Sequence, residues 1–465
     1  MNRRLFTCII VILMLTLTLA SCSPASSTNG QTTAPAKDNK ESTELPYKGV
    51  TLNIPAIDWL GSQVMRELSA EFEQETGAKV VWDILETSAL QEKVFLTING
   101  KAGTYDIITA DATWTAALAV MDGLEPMPVE EWKADKDFDF DDLYTTFTDA
   151  YGDPTGRTDN VYFIPMVTDV MGMYYRSDLF EQYADEFKKE YGYDLKVPEY
   201  WDEFLDIAKF FTRDTNGDGE IDLYGTTMMA APVAIASDYI VYANSWGFDY
   251  FTEDLRPNYT DPKSIEAITF YIDLYRKWKV VPPSVPNNWF SETQLLMQRG
   301  QVATSVNWAA FCESTNDPAQ SEYAGKILFA PLPRARGVES SKGLLAGHCY
   351  AINKYSKNLE AAKAYMTWAL SKPVQDKLAM RGVTGSRYSS SINASSKYPW
   401  MKNFAEAVLT GKHWVPRMFP DFMSIHQVVM SDELSKALMG EQTVEEALNK
   451  VQQRVDQLMR EGGYY

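Results

Sequence analysis

Val50-Thr-Leu-Asn-Ile54, the helical run 61–77, the extended run 78–84, a second helical run 89–99 and Tyr105-Asp-Ile-Ile-Thr109 follow one another without a break. Val64, Met65, Leu68 and Phe72 recur at three- and four-residue spacing, which puts them on one helix face. Gly77 stands where a helix ends on a left-handed residue. Strand, helix, strand, helix, strand is the order of an α/β unit, and it predicts a mostly parallel sheet. Such sheets bind ligands beyond the carboxyl ends of their strands. Two loops at that edge pair an acid with an indole: Asp58 with Trp59, and Asp111 with Trp114.

Toward the N-terminus, Arg3 and Arg4 precede an apolar run over 5–20, and Leu19-Ala-Ser-Cys22 follows at once. This is the basic, apolar and small-residue order of a secretory signal. The final tetrapeptide resembles a bacterial lipobox, which implies a signal peptide over 1–21 and lipidation at Cys22. The polar, Ser/Thr-rich stretch 22–45 reads as a flexible tether. The expected location is therefore extracytoplasmic, lipid-anchored to a bacterial cell membrane.

Outward in the other direction, 161–175 is extended, 201–212, 237–246 and 263–278 are helical, and 301–308 and 326–330 read as strands. An apolar segment at 344–352 precedes helices at 358–370 and 374–380 and a helical end at 423–461. The roughly 420 residues after the tether exceed one ordinary domain, so two lobes are expected. A net charge of −20 argues against nucleic acid, which needs a basic face. Outside the signal and Cys22, only Cys312 and Cys349 are left, to pair or to remain two buried thiols.

Several collinear segments resemble the large extracellular sugar-binding proteins of ABC importers, relatives of maltose-binding protein. They are Phe72-Glu-Gln-Glu-Thr-Gly77, Tyr105-Asp-Ile-Ile, Gly123-Leu-Glu-Pro126, Phe163-Ile-Pro-Met-Val-Thr-Asp-Val170 with Tyr174-Tyr-Arg176, and the helix start at Trp201-Asp-Glu. Val306-Asn-Trp308, Ala330-Pro-Leu-Pro333 and Ala351-Ile-Asn-Lys-Tyr-Ser-Lys357 continue the series. The resemblance implies a two-lobe periplasmic-binding-protein-like α/β fold with a hinge and an interlobe cleft. It implies lobe 1 at 48–168 plus 350–385 and lobe 2 at 169–345 plus 400–465. The implied role is capture of a mono- or oligosaccharide or polyol by a monomer that hands it to ABC permease subunits, with no enzymatic step and no required cofactor.

Sugars need aromatic faces for their C–H sides and carboxylates or amides for their hydroxyls. The resemblance puts Trp114 and Trp308 at stacking positions and Asp111 and Asp169 at hydroxyl acceptors. Asp58, Trp59 and Trp246 are further candidates. Where many relatives carry Gly-Trp-Gly this chain has Gly347-His348-Cys349, so an imidazole takes the place of an indole. Arg387 stands where relatives bring an arginine toward the cleft.

Asp214, Asn216, Asp218, Glu220 and Asp222, with Gly219 at the sixth place, match the start of a calcium loop, though Gly225 stands where a bidentate glutamate belongs. A structural calcium ion is the one metal the sequence suggests. The rival reading is a secreted carbohydrate-active enzyme. It has only the abundance of acids behind it, since no nucleophile elbow, metal helix or phosphate loop is present and the chain has three histidines.

Overall fold

The computed structural model describes residues 45–154, 160–232, 234–414 and 419–465. The signal segment, Cys22 and nearly all of the tether lie outside them. The opening α/β unit forms as its pattern requires: β1 Thr51–Ile57, α1 Leu60–Thr76, β2 Lys79–Leu85, α2 Thr87–Asn99 and β3 Ile107–Asp111. Gly77 caps α1 with φ 77°, and its N–H bonds the Glu73 carbonyl. The apolar stripe of α1, including Val64, Met65 and Phe72, is buried on the sheet. Each such side chain contributes about 1.5–3 kcal/mol on leaving water.

β1 and β2 pair in parallel. β3 lies alongside β1 through Asp106, whose N–H bonds Asn53 O at 2.9 Å and whose carboxylate accepts the Asn53 N–H at 2.8 Å. Thr109 Oγ1 also donates to Pro55 O. From there the mostly parallel expectation fails. The remaining strands are β4 Leu124–Glu125, β5 Ile164–Arg176, β6 Thr304–Trp308, β7 Ile327–Ala330 and β8 Leu345–Asn353. Among the described residues all their pairings are antiparallel. The cause is the origin of β8, which returns from about 240 residues downstream to run against β3 rather than following a crossover helix.

β5 is the longest strand, and its partners change along its length. Ile164 to Val170 pair with β8, whereas Met171 to Tyr175 pair with β6 and Met173 to Arg176 with β7. One strand is thus built into two sets of neighbours. Gly347 in β8 makes this join tight: its φ is 138°, and a Cβ there would meet Val167 O at 2.1 Å.

The helices Trp201–Phe211, Ala234–Ser245 and Pro262–Arg276 pack beyond β6 and β7. The C-terminal helical stretch is not continuous: a π-helical turn at Ile425–Met430 interrupts it, and Gly440 ends its first half before Val444–Glu461 begins. One hydrophobic cluster runs from Trp114, Leu118, Phe147 and Tyr151 to Tyr242, Trp414, Phe422 and Val451.

Gly347→Ala should destabilise the protein by roughly 2–5 kcal/mol, the sum of a disfavoured backbone region and a forced β5–β8 separation. Gly337→Ala, also at positive φ but in open space, should cost only about 1–2 kcal/mol. Urea unfolding of the two variants would check the difference.

Candidate binding site

Three strand ends converge at one place. His348 of β8 is the register partner of Asp111, the last residue of β3, and also of Val167 in β5. Trp59, which opens α1 just past β1, lies 4.8 Å from the His348 ring between centroids, tilted by 56°. Trp114, ending the 3-10 turn Ala112–Trp114, presents an edge to the same imidazole at 6.5 Å. That turn forms because Asp111 Oδ1 accepts the N–H and the hydroxyl of Thr113, an N-cap geometry. Asp111 Oδ2 remains 3.8 Å from His348 Nε2.

His348 is 6 % exposed, and burial pushes its pKa below the ordinary 6.5 while Asp111 opposes the shift. Its Nδ1 and the Trp59 indole N–H have no hydrogen-bond partner among the described residues. An orphaned buried polar atom costs about 1–3 kcal/mol, so neither is left so without consequence. Asp58 is exposed and accepts from Gln63 Nε2 at 2.9 Å.

The second group lies where β5 has changed partners. Asp169 is buried, and its Oδ1 accepts the N–H groups of Val170 and Ala310 at 2.8 and 3.1 Å. Burial outweighs those bonds and raises its pKa to about 7. Trp308, half-buried at the end of β6, lies 6.3 Å from Trp414. Trp414 in turn contacts Phe422 and His426, and the helical turn Phe422–Ser424 packs against Ala112–Trp114. The indole groups of the two sites are therefore linked through Trp414 and Phe422. Tyr151 belongs to the same buried cluster as Trp114 and Trp414: its hydroxyl donates to Leu345 O, and burial first, then the Cys349 thiol, holds that hydroxyl well above its ordinary pKa.

Two candidates are elsewhere. Trp246 is packed in the helical layer on Trp201, Tyr242 and Phe270, with ring centroids 5.7, 6.1 and 5.3 Å away. It ends a buried helix, and its ring contacts are with none of the residues above. Arg387, expected at the cleft, is fully buried and spent on the backbone. Its guanidinium donates to Leu370 O, Asp139 O and Phe138 O and to the Asp142 carboxylate, which leaves no face for a ligand. It is a structural clamp on the 138–142 turn. Cys312 and Cys349 are free and buried, and Cys312 Sγ bonds the Tyr174 hydroxyl.

The acidic turn closes on itself. Asp214 accepts from the N–H groups of Asn216, Gly217 and Gly219, Asn216 and Asp218 accept further loop N–H groups, and Asp222 holds Thr215. Glu220 enters these bonds only through its backbone N–H, which donates to Asp218 Oδ1 at 2.9 Å. Among the described residues no three His, Cys, Asp or Glu side chains are grouped to hold a metal.

Sequence reading missed Tyr151, Trp414 and an aromatic step beside Trp308. Phe290 stacks on Phe311 at 5.5 Å and 27°, Asn307 Nδ2 fixes its carbonyl, and Trp289 and Phe290 are 39 % and 38 % exposed. Their sequence signal was no more than an aromatic residue, with no local pattern to place it at the site.

The model of bacterial extracellular solute-binding proteins matches residues 59–376. The chain belongs to that family. Membership puts it on the extracytoplasmic side and agrees with the resemblance read from the motifs. Among curated relatives, a mannitol-binding protein of Pseudomonas aeruginosa is 25 % identical over 435 residues, 89 % of this chain and 94 % of that one. A probable amino-acid ABC transporter periplasmic-binding protein of Sinorhizobium fredii is 24 % identical over 444 residues, 93 % and 95 % of the two chains. The crystal structure of an ABC transporter solute-binding protein from Agrobacterium radiobacter in complex with ribitol matches with a TM-score of 0.74. Its identity is 23 %, and the match covers 89 % of this chain and 100 % of that one. The fold is that of the two-lobed solute-binding proteins, as expected.

Arg387→Met should lower stability by about 3–5 kcal/mol, because it removes the buried cation paired with Asp142 and the donors to the Leu370, Phe138 and Asp139 carbonyls, yet leave ligand affinity of the folded fraction within about twofold. Denaturant melts with parallel ligand titration would check both halves. A distinct pH dependence is also expected. Asp238 is buried with a pKa raised to about 8, and Asp169 to about 7, in both by burial first. Each binds a proton in the folded state that the unfolded chain has already lost, so each removes stability as pH rises toward its folded value. His413 and His426, lowered to about 4 and about 3, act oppositely, but their contribution is complete above the ordinary 6.5. The melting temperature should therefore fall between about pH 6.5 and about pH 8, and Asp238→Asn should flatten that slope.

Proposed function

We propose that this protein is the substrate-binding component of an ABC importer and that it captures a carbohydrate or polyol in the cleft between its lobes. The single observation that carries the reading is the pair of linked sites: Trp59, Trp114, His348 and Asp111 on one side, and Asp169, Trp308 and Trp414 on the other. Indole faces match the C–H surface of a sugar or polyol, and carboxyl groups match its hydroxyls. The mannitol and ribitol in the names of two similar proteins support the polyol end of this range. A ligand touching both sides stabilises the closed arrangement by its differential contacts.

In this reading lobe 1 spans 48–168 plus 350–385 and lobe 2 spans 169–345 plus 400–465, with β5 crossing between them. Cys22 carries the lipid anchor, 22–45 is the tether, and the monomer delivers its ligand unaltered to permease subunits. The Sinorhizobium relative's name makes amino acids the competing ligand class, and an indole-rich site to which the described residues bring no free cation for the carboxylate is what weighs against them.

A thermal-shift screen of the purified protein against polyols, sugars and amino acids tests the reading. A ligand at about 100 times its Kd adds about 2.7 kcal/mol and should raise the melting temperature by a few degrees. A polyol or sugar hit recovered unchanged, lost in Trp308→Ala, is the expected result. A hit only among amino acids would replace the ligand class, and a consumed ligand would make the protein a carbohydrate-active enzyme.

A further inference from the structure

The two unpartnered ring nitrogens of the first site define what they can accept. Trp59 Nε1 is a donor and nothing else. His348 is buried and neutral, and the carboxylate oxygen of Asp111 faces its Nε2 at 3.8 Å. That field places the imidazole proton on Nε2 and leaves the lone pair on Nδ1, so Nδ1 is an acceptor and nothing else. Both atoms are buried without a hydrogen-bond partner among the described residues, on rings 4.8 Å apart. The second oxygen of Asp111 cannot serve either of them, because Thr113 already occupies it twice.

A group that satisfies both must donate and accept at once. The geometry points to His348 and Trp59 as the specificity pair of the site, which together read one uncharged ligand hydroxyl. A carboxylate there would satisfy the indole but set its lone pairs against Nδ1. An ammonium would satisfy Nδ1 and oppose the indole N–H. Neutral polyols and sugars are thus selected over sugar acids and amino sugars at this position, and the Asp58 and Asp111 carboxylates beside it add repulsion toward any anion. A site built for a hydroxyl rejects a ligand that lacks it, since its own polar atoms then stay unpaired. This inference rests on the polyol or sugar reading above and narrows it.

Calorimetric titration with mannitol, its three distinct monodeoxy analogues (its twofold symmetry makes positions 1/6, 2/5 and 3/4 equivalent), mannonate and ribitol tests it in the wild type and in Trp59→Phe and His348→Phe. Each variant keeps an aromatic ring and removes the ring nitrogens, in His348→Phe both Nδ1 and the Nε2 that faces Asp111. Mannitol affinity should fall about threefold to tenfold in each. One monodeoxy analogue should bind the wild type about threefold to tenfold more weakly than mannitol, yet bind the double variant as well as mannitol does. Mannonate should bind the wild type at least about a hundredfold more weakly. If His348→Phe fails to fold, His348→Asn keeps an acceptor near the Nδ1 position and should retain most of the affinity. Mannonate binding as tightly as mannitol, or a deoxy deficit that persists in the double variant, would overturn the assignment alone. Absence of binding by every polyol and sugar in the screen would overturn the functional reading and this assignment with it.

Discussion

β5 is hydrogen-bonded to β8 through Val170 and to β6 and β7 from Met171 onward, and everything at the site depends on that change of partners. Asp169 lies one residue before the change ends. His348 is fixed by the first set of bonds, and Trp308 by the second. Because a β-strand is stiff along its length, the two aromatic groups are held at a set separation across a short stretch of backbone, and small rotations there move one relative to the other. The close contact of Gly347 with Val167 O is the counterpart of this arrangement: no side chain fits where the strands approach, so the register cannot slip.

The electrostatics of the site follow from burial rather than from charge pairing. Asp169 and His348 are enclosed, and enclosure disfavours the charged form of each. Near neutral pH the site offers a neutral imidazole, indole N–H groups and a carboxyl close to its titration point, and among the described residues no cation is aimed inward. Arg387, the one guanidinium expected there, is committed to holding the 138–142 turn. Such a surface suits a ligand with many hydroxyls and no charge, and it suits carboxylates poorly.

Much of this was legible in the sequence, for reasons that are local. The opening α/β unit was readable because its periodicities are strong and its glycine cap is unambiguous, and the loops holding Asp58, Trp59, Asp111 and Trp114 follow from strand ends alone. Parallel pairing holds for β1 with β2 and fails beyond them because the partner of β3 comes from 345–353, which no local pattern reveals. Trp246 and Trp308 look alike in sequence, each an indole after an apolar run. Only tertiary packing separates a helix end sealed on Trp201 from a strand end facing Trp414. Arg387 was misread because hydrogen bonding to carbonyls at 138, 139 and 370 is a long-range property. Tyr151, Trp414 and the Phe290–Phe311 stack were missed for the same reason.

The central claim is that a polyol or sugar is held by both sides of the β5 junction at once. A crystal structure of the protein grown with mannitol tests this most directly. The account requires density for the ligand between the Trp59–Trp114–His348 group and the Trp308–Trp414 group, with a hydroxyl at His348 Nδ1. A ligand bound to one side alone, or seated away from these rings, would contradict it.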